Sequence, residues 1–128
     1  MTGNKCLLDT SAIIHSFRKA NDVAAKLNAM AEIYVPVTAI GELYFGAYKS
    51  DNIPKHLSIV QSFLINCKIL ATDRATAEVY GTIRAALAKK GRPLPENDIW
   101  IAASALQYNL PLFTLDNHFK EINGLIPL

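Results

Sequence analysis

The chain has 128 residues, 51% hydrophobic and 19% charged, which is enough for one buried core, too little for two, and excludes a disordered tail. Thirteen Lys and Arg against eleven Asp and Glu leave a formal charge of +2, too small to announce a nucleic-acid binder by charge alone. Any charge argument is therefore local, and residues 1–128 are expected to form a single domain.

Residues Met1 to Lys5 are polar and carry no basic flank followed by an apolar run, and no apolar stretch is long enough to span a bilayer, so a cytoplasmic protein without a membrane segment is expected. Cys6 to Leu8 reads as the first strand, with Asp9, Thr10 and Ser11 directly after it. Helical spacing then covers Ser11 to Lys19 and Asp22 to Met30, and Ile33 to Val37 reads as the second strand. After Pro36 a helix is expected from Thr38, with Ile40, Leu43, Tyr44 and Ala47 on its buried stripe and Glu42 off it, near the helix start. A weaker helix covers Pro54 to Asn66, and Lys68 to Leu70 forms the third strand.

The clearest helix starts at Thr72 or Asp73 as N-cap, carries Ala75, Val79, Ile83 and Leu87 along one stripe, and ends at Lys89, Lys90 and Gly91. Another follows Pro95 with Ile99, Ala102, Ala103 and Leu106 on one face and Asp98 in its first turn. Leu112 to Leu115 and a terminal Leu125 to Leu128 complete the strands. These are near-continuous apolar runs rather than alternating ones, which suits an α/β fold whose largely parallel sheet is covered on both faces. Cys6 and Cys67 lie far apart with no Cys-x-x-Cys or Cys/His grouping, so they are read as buried free thiols rather than zinc ligands.

In such a sheet, ligands bind beyond the carboxyl ends of the strands. Asp9 and Asp116 both leave strand ends there, and Glu42 and Asp98 sit on helices entered from that edge. Each acid has a structural reading: Asp9 or Ser11 as a helix cap, Asp98 as a first-turn dipole partner, Asp116 as a turn former, Glu42 as a solvated helical residue. Four carboxylates converging without an interspersed Lys or Arg would repel one another unless cations or protons intervened. Hard oxygen ligands without Cys or His suit Mg²⁺ or Mn²⁺, and phosphodiester hydrolysis is the chemistry such a pocket performs.

The segments Leu7-Leu8-Asp9-Thr10-Ser11, Gly41-Glu42-Leu43, Asn97-Asp98-Ile99-Trp100-Ile101-Ala102-Ala103 and Thr114-Leu115-Asp116-Asn117-His118-Phe119 resemble the PIN-domain signature of VapC-type toxins. The resemblance runs from Asp9 to the C-terminus in family order. It implies a three-layer sandwich in which helices flank a mostly parallel sheet of four to five strands. It implies a Mg²⁺- or Mn²⁺-dependent endoribonuclease that blocks translation, acts on RNA and is held inactive by a VapB-type antitoxin. By the same resemblance Asp9, Glu42, Asp98 and Asp116 are the catalytic, metal-holding acids, with Asp116 or its neighbour Asn117 acting through water. Thr10, Ser11 and Thr114 match hydroxyl positions that steady the acids or water, although Thr10 and Ser11 also read as helix caps, the reading preferred.

Lys89, Lys90, Arg92 and Lys120, with His118, are the candidates for phosphate contact, while Lys89 and Lys90 equally suit the end of a helix dipole. His15 and His118 have no acidic or nucleophilic partner evident in the sequence and are read as solvated or structural. The run Leu43-Tyr44-Phe45-Gly46-Ala47-Tyr48, with Ile13, Ile14 and Phe17, carries more apolar surface than one stripe needs. Core packing takes most of it, and the excess suits a groove for an antitoxin helix or the seam of a homodimer.

The rival readings are three. A receiver-like phosphatase is disfavoured because Asp9 lacks a second acid two residues on and the last strand lacks a lysine. The others are a catalytically silent RNA- or protein-binding module of the same fold, and a PIN nuclease outside a toxin-antitoxin pair.

Overall fold

The computed structural model describes residues 4–18 and 22–128. Its sheet has the order β3-β2-β1-β4, with β1 (Lys5–Leu8) between β2 (Glu32–Pro36) and β4 (Leu112–Phe113), β3 (Lys68–Leu70) beyond β2, and every pairing parallel. Six helices flank it: α1 (Thr10–Ser16), α2 (Asp22–Asn28), α3 (Val37–Tyr48), α4 (Ile53–Leu64), α5 (Arg74–Lys90) and α6 (Glu96–Gln107). The expected first helix reaches Lys19, which lies outside the described residues, as do residues 1–3. Right-handed crossovers place α1–α4 and α5–α6 on opposite faces, and the packing follows, with α1 on α2 and α3, α3 on α4, and α5 on α6. Cys6, Leu7 and Leu8 are fully buried in succession, as a strand covered on both sides must be.

The strand order makes the site legible. The chain moves outward from β1 to β2 to β3, then returns through α5 and α6 to add β4 on the other side of β1. The direction of winding therefore reverses between β1 and β4, and at such a reversal the flanking connections diverge and leave a crevice beyond the strand ends. Asp9 follows β1 and Asp116 stands three residues beyond β4.

Two strand expectations are corrected. The last expected strand, Leu125 to Leu128, makes only a single parallel bridge, Leu112 to Pro127, because Pro127 has no N–H to continue a ladder. Leu112 to Leu115 shortens to Leu112–Phe113 because Thr114 and Leu115 turn away to bond with residues of the β1–α1 junction. A third correction concerns α6, expected to bury one face. Ile99, Ile101, Ala102, Ala103, Ser104 and Ala105 are all buried, since the helix is covered by α5 and also meets α3.

Two contacts from the N-terminal half of α5 reach the start and the end of α6. Tyr80 stacks on Trp100 with centroids 4.0 Å apart, and at the other end the fully buried Thr76 donates from its hydroxyl to Gln107 Oε1 at 2.5 Å. Asp73 is the α5 cap: its carboxylate accepts the Thr76 N–H, and the Thr76 hydroxyl accepts the Asp73 N–H. Gly91 closes the helix in the left-handed conformation at φ 68°. Thr76→Val is expected to cost about 1–2 kcal/mol, since it leaves Gln107 Oε1 and the cap N–H unpaired. A lowered urea midpoint with unchanged slope checks this; an unchanged midpoint would show the hydroxyl is dispensable.

Candidate active site

Each acid reaches the crevice for a local reason. Asp9 is the N-cap of α1 and is almost fully buried, its Oδ1 accepting the Ala12 N–H at 2.9 Å. The Ser11 hydroxyl lies 2.9 Å from both carboxylate oxygens, and the Thr114 hydroxyl donates to Oδ2. Asp9 thus caps the helix itself, which corrects the preference for Thr10 and Ser11 as caps. Both hydroxyls serve carboxylates instead, Thr10 donating to Glu42 Oε1 at 2.7 Å. Glu42 projects half-buried from the second turn of α3, later in that helix than expected.

Thr114 ties two acids together. Its hydroxyl donates to Asp9 and accepts the Asp116 N–H at 2.9 Å. Asp116 in turn caps the 3-10 turn Asn117–Glu121 by accepting the His118 N–H at 2.9 Å. Asp98, in the first turn of α6, is half-buried, and its carboxylate takes no hydrogen bond among the described residues.

The electrostatics are one-sided. Burial, then the charges of Asp116, Asp9 and Glu42, push the Asp98 carboxyl up to about 6, with His118 opposing. Burial also raises Asp9, against the hydrogen bonds from Thr114, Ala12 and Ser11 and with a further push from Asp116. Asp98 therefore feels the other three acids at this edge, and Asp9 feels Asp116. The opposite edge of the sheet is different: Glu32 pairs with Lys68 at 2.8 Å and Lys5 at 3.2 Å, which hold it down at about 2. No Lys or Arg among the described residues forms a salt bridge with Asp9, Glu42, Asp98 or Asp116. A half-buried carboxylate with no donor, crowded by three others, fits a divalent cation, whose charge would offset the repulsion.

His118 departs from expectation. Its Nδ1 lies 3.1 Å from Asp116 Oδ1, so it has an acidic partner, and one ligand-capable atom each of Asp98, Asp116 and His118 lie within 4.8 Å of one another. The spacing carried a signal: when an aspartate caps a turn through the N–H two residues on, that residue's side chain starts beside the carboxylate.

The basic candidates divide. Lys89, Lys90 and Arg92 lie exposed at the end of α5, and Lys90 Nζ donates to the Glu121 carbonyl at 2.6 Å. Lys120 lines a cavity with Thr114, Asp116 and Asn117, and so shares it with one of the four acids. A second cavity of about 530 Å³ starts at Glu42 and runs between α1, α3 and α4, lined by Ile14, Phe17, Leu43, Ala47, Ile59 and Val60. Phe17 packs edge-on against Phe63. Phe45 and Tyr48 are 66% and 60% exposed and lie outside that groove, on the outer side of α3.

Comparison with known proteins places these features in a family. The model of the PIN domain matches residues 6–125. The chain is 32% identical to Ribonuclease VapC2 of Haemophilus influenzae over 126 residues, covering 97% of this chain and 94% of that one. It is 31% identical to the tRNA(fMet)-specific endonuclease VapC of Shigella flexneri, covering 94% of each. Among solved structures, VapBC2 of Rickettsia felis bound to a DNA fragment from its promoter superposes with a TM-score of 0.91 at 27% identity, over 97% of both chains.

Proposed function

Because the chain belongs to the PIN domain family, we propose that it is a metal-dependent endoribonuclease and the toxin of a toxin-antitoxin pair. The observation that carries this reading is the Asp98 carboxylate, half-buried, without a hydrogen bond among the described residues, and crowded by Asp116, Asp9 and Glu42. Relatives with matching length are named ribonucleases, and solved neighbours are VapBC assemblies.

Asp9, Glu42, Asp98 and Asp116 are assigned to hold Mg²⁺ or Mn²⁺. A bound divalent cation supplies the positive charge that acidifies water and steadies the oxygens of an in-line displacement at phosphorus. The chain's own part is positioning: Ser11 and Thr114 fix the Asp9 carboxylate, Thr10 fixes Glu42, and the Thr114 hydroxyl sets the start of the turn that carries Asp116. Lys120, which shares a cavity with Asp116, is assigned to the RNA backbone, and Lys89 and Arg92 to phosphates further along.

The groove that begins at Glu42 is our proposed seat for the antitoxin, since an apolar trough between helices accepts an amphipathic helix and this one ends at the acids. The outer side of α3, with Val37, Phe45 and Tyr48 exposed, is assigned to a second copy of the chain. No helix among the described residues is long and apolar enough to cross a membrane, and we place the protein in the cytoplasm with its RNA substrate.

The test is cleavage of a structured RNA by the purified chain. Scission with Mg²⁺ or Mn²⁺ and none in excess EDTA is the expected outcome; undiminished scission in EDTA would refute the proposal.

A further inference from the structure

Resting on the reading of this pocket as a cation site, we infer that His118 is itself a metal ligand, supplying a nitrogen beside the Asp98 and Asp116 carboxylates and biasing the site toward Mn²⁺ over Mg²⁺.

Hydrogen bonding separates the acids into two groups. Both oxygens of Asp9 are engaged, by Ala12, Ser11 and Thr114, and Glu42 accepts from Thr10. Asp98 accepts nothing among the described residues, and Asp116 uses only Oδ1, toward the main chain and ring of His118. Asp98, Asp116 and His118 are the three whose ligand-capable atoms lie within 4.8 Å of one another, and Asp98 and the Oδ2 of Asp116 carry no hydrogen bond among the described residues. That spacing is short enough for one ion to touch all three after small side-chain rotations.

His118 is also held in place. Asp116 Oδ1 accepts its N–H at 2.9 Å and lies 3.1 Å from its Nδ1, so the main chain is bonded to the carboxylate oxygen that the ring lies beside. Nδ1, the ring nitrogen beside Asp116, serves by exchanging its proton for the ion, which then lies between the ring and the carboxylates. The donor set is then two oxygens and one nitrogen. Mg²⁺ prefers oxygen and water throughout, whereas imidazole adds affinity for the transition metals.

Mn²⁺ binding followed by electron paramagnetic resonance tests this without any activity measurement. The expected result is ¹⁴N modulation of the bound Mn²⁺ echo in the wild-type protein and its loss in His118→Gln, a substitution at an exposed position. In that variant Mn²⁺ affinity should fall by about tenfold or more, with Mg²⁺ affinity, measured by competition, changing less. Mn²⁺ bound without nitrogen modulation, or modulation that survives His118→Gln, overturns the inference and leaves the acidic pocket standing. Failure of the wild-type protein to bind Mn²⁺ at all overturns both.

Discussion

Asp98→Asn is expected to reduce RNA cleavage by on the order of 10³-fold or more while leaving unfolding cooperative. The substitution keeps the shape and removes one charge from the carboxylate that no side chain or N–H of the described chain supports. Because the crowding carboxylates leave only His118 to oppose that charge among the described residues, the loss falls on metal retention and on the charge available to the reaction, and it is read by single-turnover cleavage at fixed Mn²⁺. Asp9→Asn should lose comparable activity, and asparagine remains able to cap α1. Asp116→Asn should lose less, since that carboxylate divides itself between the turn and the crevice. Wild-type rates in both Asp9→Asn and Asp98→Asn would remove the pocket from the chemistry.

The second expected result is that the same Asp98→Asn protein, freed of metal, is more stable than the wild type at pH 7.5, the advantage shrinking as pH falls toward 4. Asp98 has its folded value raised from 3.8 to about 6, so between those values the native state binds more protons than the unfolded one and stability falls as pH rises. The penalty is absent below 3.8 and complete above about 6. At face value the rise is worth about 3 kcal/mol, but solvent screening of a half-exposed group reduces the expected gain to about 1 kcal/mol. Glu32 works in the opposite sense and in another window, its contribution present above 4.5 and lost toward pH 2, so it does not distort a comparison between pH 5 and 7.5. Adding Mn²⁺ should reverse the order of the two proteins, because an ion at 100 times its Kd stabilises the binding form by about 2.7 kcal/mol. Calorimetry with and without Mn²⁺ reads both effects, and a less stable metal-free variant would contradict the repulsion.

The acids are legible in the sequence because local rules act on them: an aspartate directly after an apolar run leaves a strand end, and an acid in a helix's first turn stands at its N-terminus. The parallel sheet followed from unbroken apolar runs, and the fully buried Cys6-Leu7-Leu8 accords with that reading. Thr114 meets Asp9 across 105 positions and Thr10 meets Glu42 across 32, so residue type alone does not reveal those bonds; the family resemblance is what marks Thr114 as a hydroxyl beside the acids. Thr10 and Ser11 carry side chains that suit a cap, and only the position of Glu42 and the geometry of Asp9 decide that they do otherwise. His118 is exposed, as a solvated side chain is, and its acidic partner Asp116 is not evident in the sequence because it is reached through turn geometry rather than a motif.

Assembly order follows from the return of the chain to the flank of β1. The contact between Thr114 and Asp9 joins the two extremes of the fold, and β4 can dock only once α5 and α6 have been made. A nascent polypeptide halted before β4 holds Asp9, Glu42 and Asp98 but neither the Thr114 bridge nor Asp116. By this reading the nuclease is harmless to the ribosome building it until the last stretch has emerged, and premature termination there yields an inert fragment.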